Sequence, residues 1–155
     1  MTKISLVICL ALVTSGFKRS SHRQAGQKSI HLLLNPIFGS GVYAGYRLSS
    51  NRDVGIYYDF QEEGADEFST GHGGGVVVKQ YFGGTFYSIF GLGRADAFGF
   101  SGVGVFSSIG NEWQFGNGMT FGGDWISAIW MYDRHRNRGA FPPFGFAKFI
   151  AGWVF

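Results

Sequence analysis

Three histidines stand where acid–base chemistry could take place: His31, His72 and His135. A nucleophilic serine needs a base within hydrogen-bond reach, and a third group must orient that base. His72 follows Ser69 and Thr70 in an acidic segment, which is the nearest approach to such a set. A solvated loop histidine is the simpler interpretation of this pattern. We therefore assign no catalytic residue.

Two charged clusters lack the spacing of a metal or catalytic site. The segment "YDRHRNR" brings Arg134, Arg136 and Arg138 together, and guanidinium groups bind phosphate bidentately. The acidic segment "EEGADE" at 62–67 lacks the ordered ligand spacing of an EF-hand. The chain also has no Cys/His metal motif, since Cys9 is its single cysteine. The sequence predicts no metal and no cofactor.

The composition combines many small residues with many aromatic rings. The 155 residues include 26 Gly, 17 Phe, 7 Tyr and 4 Trp, and only 15% are charged. Globular domains average about 25% charged residues and about 7% Gly. Disordered chains lack such rings, and closely packed, curved strands suit this mixture better than a helical bundle does. The net charge of +3 comes from local clusters, which do not indicate a nucleic-acid-binding surface.

The first 20 residues have the pattern of a secretory signal peptide. Lys3 is followed by an apolar run from Ile4 to about Val13, which is shorter than the roughly 20 residues of a membrane-spanning helix. The segments "VTSG" and "RQAG" are both acceptable before a cleavage position. A buried N-terminal helix is the alternative. We predict a signal peptide at 1–20 and one domain at 28–155.

Hydrophobicity in that domain has a period of two, which is typical of β-strands. In "DVGIYYDFQ", Val54, Ile56, Tyr58 and Phe60 fall on one face. Eight strands are predicted, at 29–35, 40–48, 53–62, 73–82, 85–94, 102–115, 119–131 and 144–155. Short turns follow strands two, four and six, whereas longer polar connections follow strands three, five and seven. An even number of strands, joined alternately by short turns and long connections, is typical of a membrane β-barrel.

The distribution of charge separates a membrane barrel from a soluble one. The polar face carries few charged residues: Arg47, Asp53, Asp59, Lys79, Glu112, Asp124 and Lys148. A soluble exterior needs abundant Lys and Glu, whereas the narrow interior of an eight-stranded barrel accommodates a few paired charges. We predict a lumen charge network of Arg47, Asp59, Lys79, Glu112, Asp124 and Lys148. The segment "TFYSIFGLGR" is apolar on both faces, so its orientation stays open.

The last segment, "AKFIAGWVF", carries the most specific resemblance. The chain resembles, over about 28–155, the small eight-stranded outer-membrane barrels of Gram-negative bacteria, of the OmpA/OmpX type. In that family the final strand has alternating hydrophobic positions that the barrel-assembly machinery reads. Phe149, Ala151, Trp153 and Phe155 match these positions. The resemblance implies an all-β, antiparallel up-and-down transmembrane barrel, with its tight turns in the periplasm and its long loops outside the cell.

These features predict a non-enzymatic outer-membrane protein with a closed lumen. Its role would be structural, or would involve surface interaction through the outer loops. The expected partners are outer-membrane lipids, the assembly machinery, and lipopolysaccharide phosphates at Arg134, Arg136 and Arg138; the barrel is expected to be a monomer that binds no nucleic acid. Some barrels of this size are enzymes acting on lipid A or phospholipid, and this is the first alternative. A soluble ligand-binding barrel is the second.

Overall fold

The computed structural model describes residues 23–35, 39–60, 72–97, 100–133, 138–140 and 145–155. The predicted signal peptide at 1–20 lies outside these residues. The strands are β1 (Lys28–Asn35), β2 (Gly39–Ser49), β3 (Arg52–Phe60), β4 (His72–Tyr81), β5 (Phe86–Ala97), β6 (Phe100–Gln114), β7 (Met119–Asp133), β8 (Arg138–Ala140) and β9 (Gly145–Val154). No helix within these described ranges has the length and apolarity of a membrane span.

Eight of the strands close into a ring. Strands β1 to β7 pair antiparallel in chain order, and β9 pairs with both β7 and β1. The predicted fold class, an eight-stranded antiparallel up-and-down barrel, is confirmed. Strand β8 has three residues and pairs only with Met131–Asp133 at the end of β7. Strand β7 extends two residues beyond the approximate predicted limit of 131, with side chains that still alternate between inward and outward through Asp133.

Three tight turns lie at one end of the barrel, which we call the inner end. They connect β2 to β3, β4 to β5, and β6 to β7. Gly83 and Gly84 have φ values of 114° and 56°, and Gly118 has 87°. These positive values favour glycine because residues with a side chain rarely adopt this backbone conformation. The opposite end, where β3 leads to β4 and β7 leads to β8, is the outer end.

The side-chain distribution is inverted relative to a soluble protein. Among the described residues, 26 large hydrophobic side chains are exposed and 7 hydrophobic residues are buried. Eleven polar or charged residues are buried. Soluble proteins bury apolar groups and expose most charged ones. An apolar exterior around a polar interior is the arrangement of a transmembrane β-barrel.

Two local features could not be read from the hydrophobic pattern. Strand β5 is oriented by Tyr87, which is fully buried, while Phe90 and Leu92 are exposed on the outside. In β7 the register shifts opposite Ile109, so that Trp125 and Ile126 both point outward. A β-bulge of this kind reverses the faces of all later residues in a strand.

Candidate functional site

The inner half of the lumen is organised around a buried arginine. Arg47 on β2 is the cross-strand partner of Asp53 on β3, and both are almost fully buried. Arg47 donates from Nε to Asp53 Oδ1 at 2.8 Å and from Nη2 to Oδ2 at 3.2 Å. Its Nη1 donates to the side-chain oxygens of Gln27 and Gln114 at 2.8 and 3.2 Å. This guanidinium group is therefore held by three side chains.

A second buried ion pair lies deeper in the barrel. Lys79 donates to Oε2 of Glu112, and both side chains are at most 3% exposed. The Tyr81 hydroxyl is 2.9 Å from Glu112 Oε1 and 3.3 Å from Asp53 Oδ2. Lys79 Nζ also lies 3.9 Å from the centroid of the Tyr87 ring. Tyr81 thereby connects the two buried ion pairs.

The remaining lumen charges lie toward the outer end. Lys148 Nζ is 3.0 Å from Asp59 Oδ2, and these side chains are 25% and 35% exposed. Asp124 is buried and accepts a hydrogen bond from the Tyr87 hydroxyl at 2.5 Å. Asp124 and Lys148 are cross-strand partners, but Lys148 forms an ion pair with Asp59 on β3. The ion pairs in the lumen therefore depend on how deep each side chain lies along the barrel, as well as on the strand register.

The structure places the six predicted lumen residues in one interior, in four separate contacts. Lys79 contacts Glu112, Lys148 contacts Asp59, and Asp124 contacts a tyrosine. Arg47 contacts Asp53, which the predicted network did not contain. The available signal was the hairpin itself, since a tight turn at Ser49–Arg52 sets Arg47 opposite Asp53.

His31 is the buried histidine nearest to these charges. Its ring stacks on Tyr43 at a centroid distance of 5.4 Å, and its Nε2 is 3.8 Å from Glu112 Oε2. Within the described part of the chain, neither His31 Nε2 nor the Tyr43 hydroxyl has a hydrogen-bond partner. His31 is thus not in the geometry of a base that activates a nucleophile.

Among the other candidate catalytic and metal-binding groups, the structure describes His72. His72 begins β4 at the outer end and is exposed, whereas Ser69, Thr70 and His135 lie outside the described residues. The described ranges contain no group of three or more His, Cys, Asp or Glu residues placed to hold a metal ion. The acidic segment at 62–67 also lies outside the described residues.

A small cavity lies in the described part of the lumen. A cavity of about 40 Å³ lies between Tyr43, Tyr57, Phe106 and the Asp59–Lys148 pair. Tyr57 and Phe106 pack edge to face across it at 4.6 Å. A space of this size holds roughly two or three water molecules. Aromatic rings and an ion pair thus narrow the lumen at this level.

A segment before β1 covers the inner mouth of the barrel, and we call residues 23–27 the plug segment. The Arg23 guanidinium lies 3.6 Å from the centroid of the Tyr81 ring. It donates to the backbone oxygens of Gly84 and Glu112, both at 3.1 Å. Gly26 N and Gln27 O also form backbone hydrogen bonds with Arg47 at 2.8 Å. No hydrophobic period marks this segment, so sequence reasoning did not include it in the domain.

The predicted surface residues fall into two groups. Phe149, Trp153 and Phe155 are exposed on the outer face, 51%, 48% and 64% respectively, and Ala151 lies between them. Arg134 and Arg136 lie outside the described residues. The backbone of Arg138 belongs to β8, but its side chain is outside the described set.

No family model and no curated protein matches this chain. One similar solved structure is Ail, the attachment invasion locus protein of Yersinia pestis. It has 13% sequence identity and a TM-score of 0.49, and the similarity covers 85% of this chain and 100% of that chain. Strand pairing and side-chain distribution carry the fold assignment. The chain has the fold of an eight-stranded outer-membrane-type β-barrel.

Proposed function

We propose that this chain is an integral protein of the bacterial outer membrane with a closed, structural lumen and a non-enzymatic role. The observation that carries this proposal is the inverted barrel: a belt of exposed apolar side chains surrounds buried ion pairs. The apolar side chains of the outer face are buried in the hydrocarbon of the bilayer. Because the eight strands close into a ring, their backbone groups pair with neighbouring strands and no strand edge is exposed to lipid.

The closed lumen is supported by its contacts. Buried charges are stable when they are paired and hydrogen-bonded, and Arg47 and Glu112 each have several partners. The plug segment also covers the inner mouth. In this proposal the barrel is an anchor and its outer loops carry the interactions. Arg134, Arg136 and Arg138 would contact lipopolysaccharide phosphates, and Phe149, Ala151, Trp153 and Phe155 would be read during assembly.

A charge placed on the outer face tests the membrane environment. Val76, in the middle of β4, is 58% exposed. We expect Val76→Arg to reduce the free energy of unfolding by about 2–4 kcal/mol, because arginine is costly in the middle of the bilayer. Gln80→Lys, near the inner end of the same strand, should cost at most about 1 kcal/mol. Urea unfolding of the barrel in lipid vesicles measures both values.

Val76→Leu is the matched control, since it changes size without adding charge. A mature chain that stays in the aqueous phase without detergent would contradict the membrane proposal. Equal costs for Val76→Arg and Gln80→Lys would contradict the proposed depth of these positions.

We also propose that the signal peptide is removed upstream of Arg23. Cleavage after "RQAG", at Gly26, would delete the contacts of Arg23 with Tyr81, Gly84 and Glu112. Cleavage near "VTSG", at Gly16, preserves them. We expect the intact mass of the protein purified from outer membranes to include Arg23. A mature N-terminus at Gln27 would exclude the plug segment from the working protein.

A further inference from the structure

The outer face of the barrel has an apolar depression across β2 to β5. Its volume is about 720 Å³. Along one row of cross-strand partners, Val54 and Val78 lie between the larger Tyr46 and Phe90. The two valines therefore form a trough between rings that are three strands apart, or about 14 Å. The width suits an extended hydrocarbon chain.

Positive side chains lie at the inner end of this depression. Lys28 lines it and is the cross-strand partner of Tyr46. Arg52 begins β3 and donates from Nε to Gln80 Oε1 at 3.0 Å. Lys28 and Arg52 are exposed and lie two strands and two residues apart, or about 12 Å. One phosphate-bearing head group can reach both of these long side chains.

The hydroxyl of Tyr46 points toward the same end. The Tyr46 hydroxyl oxygen lies close to Gly26 of the plug segment, at the inner mouth. A Cβ atom added to Gly26 would be 4.0 Å from this oxygen. The ring of Tyr46 is 45% exposed on the apolar face. Tyrosine in this position is typical of a membrane–water interface. A hydrogen-bond donor for a phosphate oxygen thus lies between the two cations.

The side-chain charge exposed in this region has one sign. The segments 26–30, 46–54 and 78–86 contain a single carboxylate, Asp53. Asp53 is 1% exposed and pairs with Arg47 inside the lumen. An anionic head group would therefore meet Lys28 and Arg52 without an opposing side-chain carboxylate from these segments. The trough and the cations are complementary to one amphiphilic anion.

We propose that this surface binds one anionic glycerophospholipid of the inner leaflet. Its phosphate contacts Lys28, Arg52 and the Tyr46 hydroxyl, and one acyl chain lies over Val54 and Val78. The inference rests on the proposed membrane location, with the inner end at the periplasmic side. Exposed Lys and Arg at a membrane surface favour anionic lipid, and each such charge corresponds to about a fivefold gain in affinity.

Native mass spectrometry of the mature barrel in detergent, titrated with phosphatidylglycerol or phosphatidylcholine, tests this site. We expect phosphatidylglycerol to bind more tightly. Lys28→Gln should reduce its affinity about fivefold, and the double variant Lys28→Gln/Arg52→Gln about 25-fold. Ala44→Phe places a ring in the depression and should weaken binding without changing charge.

Arg94→Gln is the matched control, because Arg94 is exposed on the outer face but lies toward the outer end of β5. It should leave phosphatidylglycerol binding unchanged. All variants are compared after heat-modifiable migration on a gel shows that they are folded. Equal binding of the two lipids, or full retention by the double variant, would overturn the lipid site.

Two other occupants of the site, free phosphate and a second copy of the chain, would give different results in this experiment. Displacement of the lipid by millimolar inorganic phosphate would show that Lys28 and Arg52 form a site for free phosphate. A dimer that forms in place of the lipid complex would assign the depression to a second copy of the chain. Either result would overturn the lipid site. A wild-type barrel that fails to insert into vesicles would refute the membrane proposal itself, whereas insertion without lipid discrimination would refute only this inference.

Discussion

Glu112→Gln is expected to reduce the free energy of unfolding by about 3–5 kcal/mol, because it leaves the buried ammonium of Lys79 without a counter-charge. Glu112 is fully buried and Lys79 is 2% exposed. Glutamine retains the volume and an acceptor for the Tyr81 hydroxyl, so the loss reports mainly the charge. Urea unfolding of the barrel reconstituted in vesicles measures the change.

Two variants separate this effect from a general response to carboxylate removal. Asp59→Asn breaks a pair whose side chains are 25% and 35% exposed, and its expected cost is about 1 kcal/mol or less. The double variant Lys79→Met/Glu112→Gln removes both charges and should recover most of the stability. If Glu112→Gln costs no more than Asp59→Asn, the lumen pair does not stabilise the barrel in the way that its geometry indicates.

Gly152→Val is expected to prevent closure of the barrel. Gly152 on β9 is the cross-strand partner of His31 on β1, where the last strand meets the first. A Cβ at Gly152 would overlap the backbone oxygen of Ile30 and Cδ2 of the His31 ring. The backbone oxygen cannot move away without disturbing the β1–β9 pairing. We expect a loss above about 4 kcal/mol, observed as loss of the heat-modifiable folded form.

Ala151→Val is the neighbouring control. Ala151 lies at an outward position of β9, between Leu32 and Phe121 in the register, and an added methyl group can extend toward lipid. We expect this variant to fold with nearly wild-type migration. Equal folding of the two variants would show that the β1–β9 contact tolerates a side chain at Gly152.

Much of the fold was predictable from short-range features. The period of two in "DVGIYYDFQ" indicated β3, and glycine pairs such as Gly83 and Gly84 marked a tight turn. The inward position of charges such as Lys79 and Glu112 followed from the same alternation. Strand period and turn chemistry are local properties of a chain. They were sufficient for eight strands and their order, and for the two faces of each strand except in β5 and beyond the β7 bulge.

Only the tertiary structure decided which lumen groups meet. Asp124 contacts Tyr87, 37 residues away, and Glu112 contacts Lys79, 33 residues away. Arg23 of the plug segment reaches the Glu112 backbone across 89 residues. These contacts depend on the depth of each residue in a closed ring. Alternation determines the face on which a side chain lies, but strand stagger and closure determine its partner.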